Sequence, residues 1–441
     1  FNRLPFDSAS HIAAKLRHRD FGYPNFFWKH LMLSSSIRSA RARLGLLGPA
    51  FVAAVAYVDP GNVAANITAG ARYSYLLVWV LVLSSLMAVM IQYQSAKLGI
   101  VTGRSLPTLV GNTLGRKARL AYWAQAELVA AATDLAEVIG GALALHLLFG
   151  LPLLAGGIIV GIASIALLAI SERQTQRHFE AAVIALLIVI TFGFLGGLVL
   201  APPNWTETAE GLIPAFKGSD SVLVAASMLG ATVMPHAIYL HSSLVNDRHG
   251  SDHSDQRKWS LIRATRVDVV AALLLAGAVN IGLLLLAASA LGGVEGTDTI
   301  EGAHRAITAH LGQGVGVIFA IGLLASGLAS TSVGAYAGSE IMAGLLHIRV
   351  PLLARRLVTL IPALLIIGSG AEPTWSLVVS QVVLSFGIPM ALIPLTMSTG
   401  NKALMGRYTD GLPLRIASIL SAIIIIVLNL FLVYLTLTGQ D

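Results

Sequence analysis

The chain's 441 residues are 56% hydrophobic and 12% charged, with no cysteine and a formal net charge of +7. A mean hydropathy of +0.77 lies outside the range of soluble globular domains and indicates an all-α polytopic membrane protein. Lack of cysteine excludes disulfides, iron–sulfur clusters and thiolate metal sites, and in a membrane chain the placement of basic residues, not their sum, argues against nucleic acid as a partner.

Residues 1–44 mix Arg, Lys, His and aromatic side chains without a continuous apolar core. They read as a cytoplasmic basic arm, lying on anionic lipid or solvated. No signal-peptide pattern precedes the first apolar run. The membrane domain is expected over 45–437, with spans near 45–70, 75–99, 119–148, 152–171, 181–201, 221–244, 265–291, 314–345, 356–371, 375–399 and 414–437. With the N-terminus inside, this count of eleven leaves only Arg72, Lys217 and Arg305 outside among the basic residues. That asymmetry predicts a cytoplasmic N-terminus and an extracytoplasmic C-terminus.

The first span carries Asp59, Pro60, Gly61 and Asn62 between the apolar runs Leu46 to Val58 and Val63 to Ala69. A carboxylate there is costly. Pro60 removes a backbone donor and Gly61 tolerates unusual torsions, so a helix break with free carbonyls is predicted beside the acid. The third span places Glu127, Asp134 and Glu137 on one helical face, with Glu137 deepest and Glu127 about 15 Å nearer the cytoplasm. Met234, Pro235 and His236 interrupt the sixth span. The polar stretch 245–262 then reads as a cytoplasmic loop, in which His249 and His253 bind metal weakly or are simply solvated. Arg355 and Arg356 open the ninth span on the cytoplasmic side. Carboxylates stepping toward arginines make a candidate proton wire, with an ion-pair network joining the two helices as the structural alternative.

Leu44 to Asp59 is about 22 Å of helix rise and Val222 to Met234 about 18 Å, each near half a bilayer. The two breaks therefore fall near the midplane, in spans that run in opposite directions. Five spans followed by five inverted ones is the arrangement of inverted-repeat transporters. The first repeat covers about 45–201 and the second about 221–399, with an eleventh helix at about 414–437. Two breaks bearing oxygen, thioether and imidazole groups point to an intramembrane cation site.

These residues resemble the Nramp family of proton-coupled divalent metal transporters, whose fold is LeuT-like. The resemblance rests on Asp59-Pro60-Gly61-Asn62, Met234-Pro235-His236, Asp134-Leu135-Ala136-Glu137 and Gln381 within SQVVLSFGIP, and covers roughly 44–437. It implies metal ligands at Asp59, Asn62, Met234, the carbonyls near Ala56 and Ala231, and Gln381. It also implies that His236 relays protons and that the acidic stripe with Arg355 and Arg356 conducts them.

The side chains support that ligand set independently. Asp59 offers hard oxygen, Asn62 an amide oxygen and Met234 a soft sulfur, and one thioether among oxygens favours Mn²⁺, Fe²⁺, Co²⁺ and Cd²⁺ over Mg²⁺ and Ca²⁺. Taken singly, Met234 reads as core packing, His236 as an interhelical hydrogen bond and Asp59 as a helix cap or half of an ion pair. Their placement at two matched breaks favours one shared ion. A desolvated acid prefers its neutral form and a divalent cation the anion, so metal entry is expected to expel a proton.

The expected function is a symporter importing Mn²⁺ and related ions with H⁺ by alternating access, in a bacterial plasma membrane. No cofactor is expected, and no oligomer is required. Alternatives are a Mg²⁺-specialised relative, against which Met234 argues, and a Na⁺-coupled carrier of organic solutes, whose substrate carboxylate Asp59 would repel. An intramembrane hydrolase is disfavoured because HExxH and a protease-like aspartate pair are absent.

Overall fold

The computed structural model describes residues 48–171, 176–292, 294, 296–348 and 350–438. The basic arm at 1–44 lies outside them. Every regular element among the described residues is helical. In chain order these are α1 (Pro49–Ala56), α2 (Pro60–Tyr73), α3 (Val78–Thr102), α4 (Leu106–Thr113), α5 (Arg116–Phe149), α6 (Leu153–Ser171), α7 (Gln176–Leu200) and α8 (Trp205–Glu210). They continue with α9 (Gly218–Thr232), α10 (Pro235–His249), α11 (Asp255–Leu291), α12 (Ile300–Leu311), α13 (Gln313–Leu346), α14 (Leu352–Gly368), α15 (Pro373–Thr399), α16 (Lys402–Met405) and α17 (Leu412–Thr438).

Eight helical stretches among the described residues are long and apolar enough to cross a bilayer, counting Gly218–His249 as one. The most apolar window of that stretch is 94% buried, against 33% for Leu412–Leu435, which puts α9 and α10 at the centre and α17 at the rim. Helix α1 is central as well, with Val52, Ala54 and Val55 inaccessible.

Helix ends follow local chemistry. The polar stretch 245–262, expected as a loop, is mostly helical: α10 runs on to His249, and α11 begins at Asp255 because Ser254 Oγ accepts from the Arg257 amide. Short α8 and α12 fall between the expected spans, started by Asn204 and Thr299 in the same capping role.

Proline inside a helix leaves the carbonyl four residues earlier without its donor. In α15, Pro389 and Pro394 do this to Ser385 and Met390. Asn429 of α17 donates to the Ser385 carbonyl at 3.0 Å, and the Tyr122 hydroxyl of α5 donates to that of Met390. Neighbouring helices thus supply the lost bonds, as an apolar surround requires.

Candidate functional site: two proline breaks facing one another

Both interruptions are built the same way. Helix α1 stops at Ala56, whose carbonyl would be served by residue 60, and Pro60 has no N–H. Helix α9 stops at Thr232, and the Ala231 carbonyl would be served by residue 235, again a proline. At the first break the amides of Tyr57 and Val58 turn back to Ala54 and Val55 at 3.0 and 3.1 Å. The Tyr57 and Val58 carbonyls are taken by Asn280 Nδ2 at 2.7 Å and Ser326 Oγ at 2.5 Å.

Asp59 opens α2, and its Oδ1 accepts from the Asn62 amide at 2.8 Å, a helix cap reinforced by the proline that follows. The capping role uses only one oxygen. Asn62 Nδ2 donates to Asp59 Oδ1 and to the Ala231 carbonyl, both at 2.9 Å, and so ties the first break to the second. Met234 opens α10 without a side-chain cap bond and is fully buried.

Gln381 of α15 reaches both breaks through glycines. Its side chain lies where a Cβ on Gly61 would sit, and its carbonyl where one on Gly230 would sit. The Gln381 amide nitrogen donates to Ser380 Oγ at 3.2 Å. Three buried oxygens of these residues have no hydrogen-bond donor from the protein: Asp59 Oδ2, Asn62 Oδ1 and Gln381 Oε1. Buried acceptors are rarely left so, and a set of oxygens with no donor suits a cation. No cluster of three or more His, Asp or Glu side chains with metal-holding geometry occurs among the described residues. Any cation held here relies on amide, carbonyl and thioether groups beside the single carboxylate.

A second polar cluster lies along α5. Arg356 Nη1 pairs with Asp134 at 3.0 Å and Glu137 at 3.4 Å, while Arg355 pairs with Glu127 at 3.0 Å and Asp134 at 3.5 Å. Ser164 and Thr331 complete the partners of the fully buried Arg356. The arginines lie across the acidic stripe in the ion-pair network that the sequence offers as the structural alternative. Helix α14 packs on α5 and the long guanidinium stems span the gap; Arg355 occupies the room left by the missing side chain of Gly338. His236 Nδ1 is 3.3 Å from Thr133 Oγ1, next to Asp134 in the chain, which connects the second break to the helix carrying the acids.

Gly230, Ser326 and Asn280 escaped sequence reasoning. None belongs to a motif, and only the packing of α9, α11 and α13 shows which way each faces.

Residues 50–435 match the Nramp family, described as natural resistance-associated macrophage protein-like. The divalent metal cation transporter MntH of Mycobacterium tuberculosis (strain ATCC 25618 / H37Rv) is 56% identical over 394 residues, covering 89% of this chain and 92% of that protein. The crystal structure of the Eremococcus coleocola manganese transporter, in complex with an aromatic bis-isothiourea compound, superposes with a TM-score of 0.79. It is 31% identical, covering 94% of this chain and 88% of that one. Mhp1, a nucleobase–cation symport transporter, shares the fold alone, at a TM-score of 0.59 and 14% identity over 90% of this chain and 94% of that one. The family match and these relatives make the chain a membrane transporter, not an enzyme. The chain belongs to the Nramp family.

Proposed function

We propose that the protein is a proton-coupled symporter importing divalent transition metal ions, Mn²⁺ foremost and Fe²⁺, Co²⁺ and Cd²⁺ besides, by alternating access. The observation that carries this reading is the pair of proline breaks bridged by Asn62, with three unserved buried oxygens at the site and a buried methionine at the second break. The names of the relatives above, a divalent metal cation transporter and a manganese transporter, support its metal part.

In this reading Asp59, Asn62, Gln381, Met234 and the carbonyls of Ala56 and Ala231 supply the ligands. The Asn62 amide holds two of them in place as a neutral donor. Metal entry turns that amide so that Oδ1 faces the ion and the Ala231 carbonyl is handed from N–H to metal. The thioether biases the set away from Mg²⁺ and Ca²⁺, which an all-oxygen site would accept.

The divalent charge favours the Asp59 carboxylate, and the displaced proton leaves by way of His236 and the α5 acids. Three carboxyls, Glu127, Asp134 and Glu137, face two guanidiniums, so one carboxyl is in excess. An uncompensated buried anion is costly, and the cluster is therefore suited to hold one proton. The ion-pair and proton-carrying readings of the stripe are then the same arrangement.

Eleven spans follow if α1 with α2 and α9 with α10 each count as one, beside α3, α5, α6, α7, α11, α13, α14, α15 and α17. The basic residues then put the N-terminus in the cytoplasm and the C-terminus outside, in a bacterial plasma membrane. The two breaks sit at mid-membrane in inverted repeats, and rocking of α1, α2, α9 and α10 against the other helices opens the site to either side in turn.

Purified protein in liposomes, with Mn²⁺ outside at acidic pH, tests this. Mn²⁺ entry with acidification of the lumen, inhibited by Fe²⁺ and Cd²⁺ and unaffected by Mg²⁺ or Ca²⁺, is expected. Metal entry with no proton movement, or equal competition by Mg²⁺, contradicts it.

A further inference from the structure

We infer that the groove between α15 and α17 binds an anionic diacyl phospholipid, with its headgroup on Arg415. The groove has a volume of about 290 Å³ and is walled by Ile393, Met397, Ile419, Ile423 and Ile426, with Arg415 in its lining. It opens outward: Met397 is 71% exposed. Its apolar walls suit acyl chain, and the hydroxyl of Thr396, also in the lining, is already spent on the Leu392 carbonyl.

The charge at its mouth selects the headgroup. Arg415 lies in the first turn of α17, where the helix dipole adds positive potential, and its stem packs on Gly400. Lys402 is exposed two residues beyond Gly400. The nearby basic residue Arg407 is neutralised by Asp255 at 3.1 Å, and Asp410 is engaged by Lys97 and Gln94. Among the described residues neither Arg415 nor Lys402 forms an ion pair. An apolar trough lined by one uncompensated cation, Arg415, with a second, Lys402, following Gly400 in the chain, matches a phospholipid of net negative charge better than a zwitterionic one.

Native mass spectrometry of the full chain in detergent, supplied with phosphatidylglycerol or phosphatidylcholine of equal acyl length, reads this directly. The expected preference for phosphatidylglycerol is about fivefold for each basic residue engaged. Arg415→Gln should reduce that preference, and the double variant with Lys402→Gln should bring the two lipids to parity. Ile419→Trp, which fills the trough and leaves the charge, should lower retention of both lipids. Equal retention by the wild-type chain, or an unchanged preference in Arg415→Gln, would overturn the inference. So would displacement of the lipid by soluble glycerophosphoglycerol, which would leave the trough without a part. A two-chain species with lipid excluded would assign the groove to a second copy and overturn it equally.

Discussion

Asn62 and Ala231 stand 169 positions apart and are joined by a 2.9 Å hydrogen bond from the amide of one to the carbonyl of the other. That carbonyl is available only because Pro235 cannot serve it, and the amide is in reach only because Pro60 starts a new helix beside Asp59. One bond therefore reports on both interruptions at once. In Asn62→Ala the Ala231 carbonyl is left buried and unserved, at a cost of about 1–3 kcal/mol. The expected result is a lower melting temperature together with loss of Mn²⁺ uptake. A variant of wild-type stability would show that the bond contributes nothing to holding the breaks together.

Gly61 and Gly230 make a paired test of how Gln381 enters the site. An added methyl at Gly61 meets the end of a flexible side chain, whereas one at Gly230 meets the Gln381 main chain. Gly61→Ala should fold normally and bind Mn²⁺ about tenfold more weakly, some 1.4 kcal/mol, as Gln381 is pushed aside. Gly230→Ala should lose folded protein. Calorimetric titration and thermal melting distinguish the two, and unaltered Mn²⁺ affinity in Gly61→Ala would remove Gln381 from the ligand set.

Glu137→Gln takes away one carboxylate charge and leaves the volume. Proton movement should fall much further than Mn²⁺ binding, and the dependence of uptake on external pH should flatten. Liposomes carrying a pH dye, read beside a binding isotherm, measure both. Equal loss of the two would mean that Glu137 only braces α5 against Arg356.

Met234→Ala should leave Mn²⁺ transport running while admitting Ca²⁺ or Mg²⁺, because in the proposed site the soft donor is what discriminates against them. Competition assays across the divalent series check this. Unchanged selectivity would mean that the Met234 sulfur does not touch the ion.

Both interruptions were legible in the sequence for a simple reason: proline deletes a donor at a known offset, so Pro60 and Pro235 name the carbonyls they free. The acidic stripe was legible because Glu127, Asp134 and Glu137 share a helical face at any register of packing. The position of Arg355 and Arg356 was not, since a guanidinium reaches across several residues and its partner depends on how α14 leans on α5. Gln381 came only through family resemblance, as a glutamine in an apolar helix carries no periodic signal. Gly230 was silent because a close approach of two helices leaves no mark on either one alone. The helical extension of α11 back to Asp255 was hidden by the polarity of 245–262, although the cap at Ser254 was there to be read.

In the proposed site one ion takes oxygen from the first break and sulfur from the second. X-ray absorption at the cadmium edge of the Cd²⁺-loaded protein reads that donor set. The predicted spectrum has an oxygen shell plus a single sulfur, with the sulfur lost and the oxygens kept in Met234→Ala. An all-oxygen shell in the wild-type protein would contradict it.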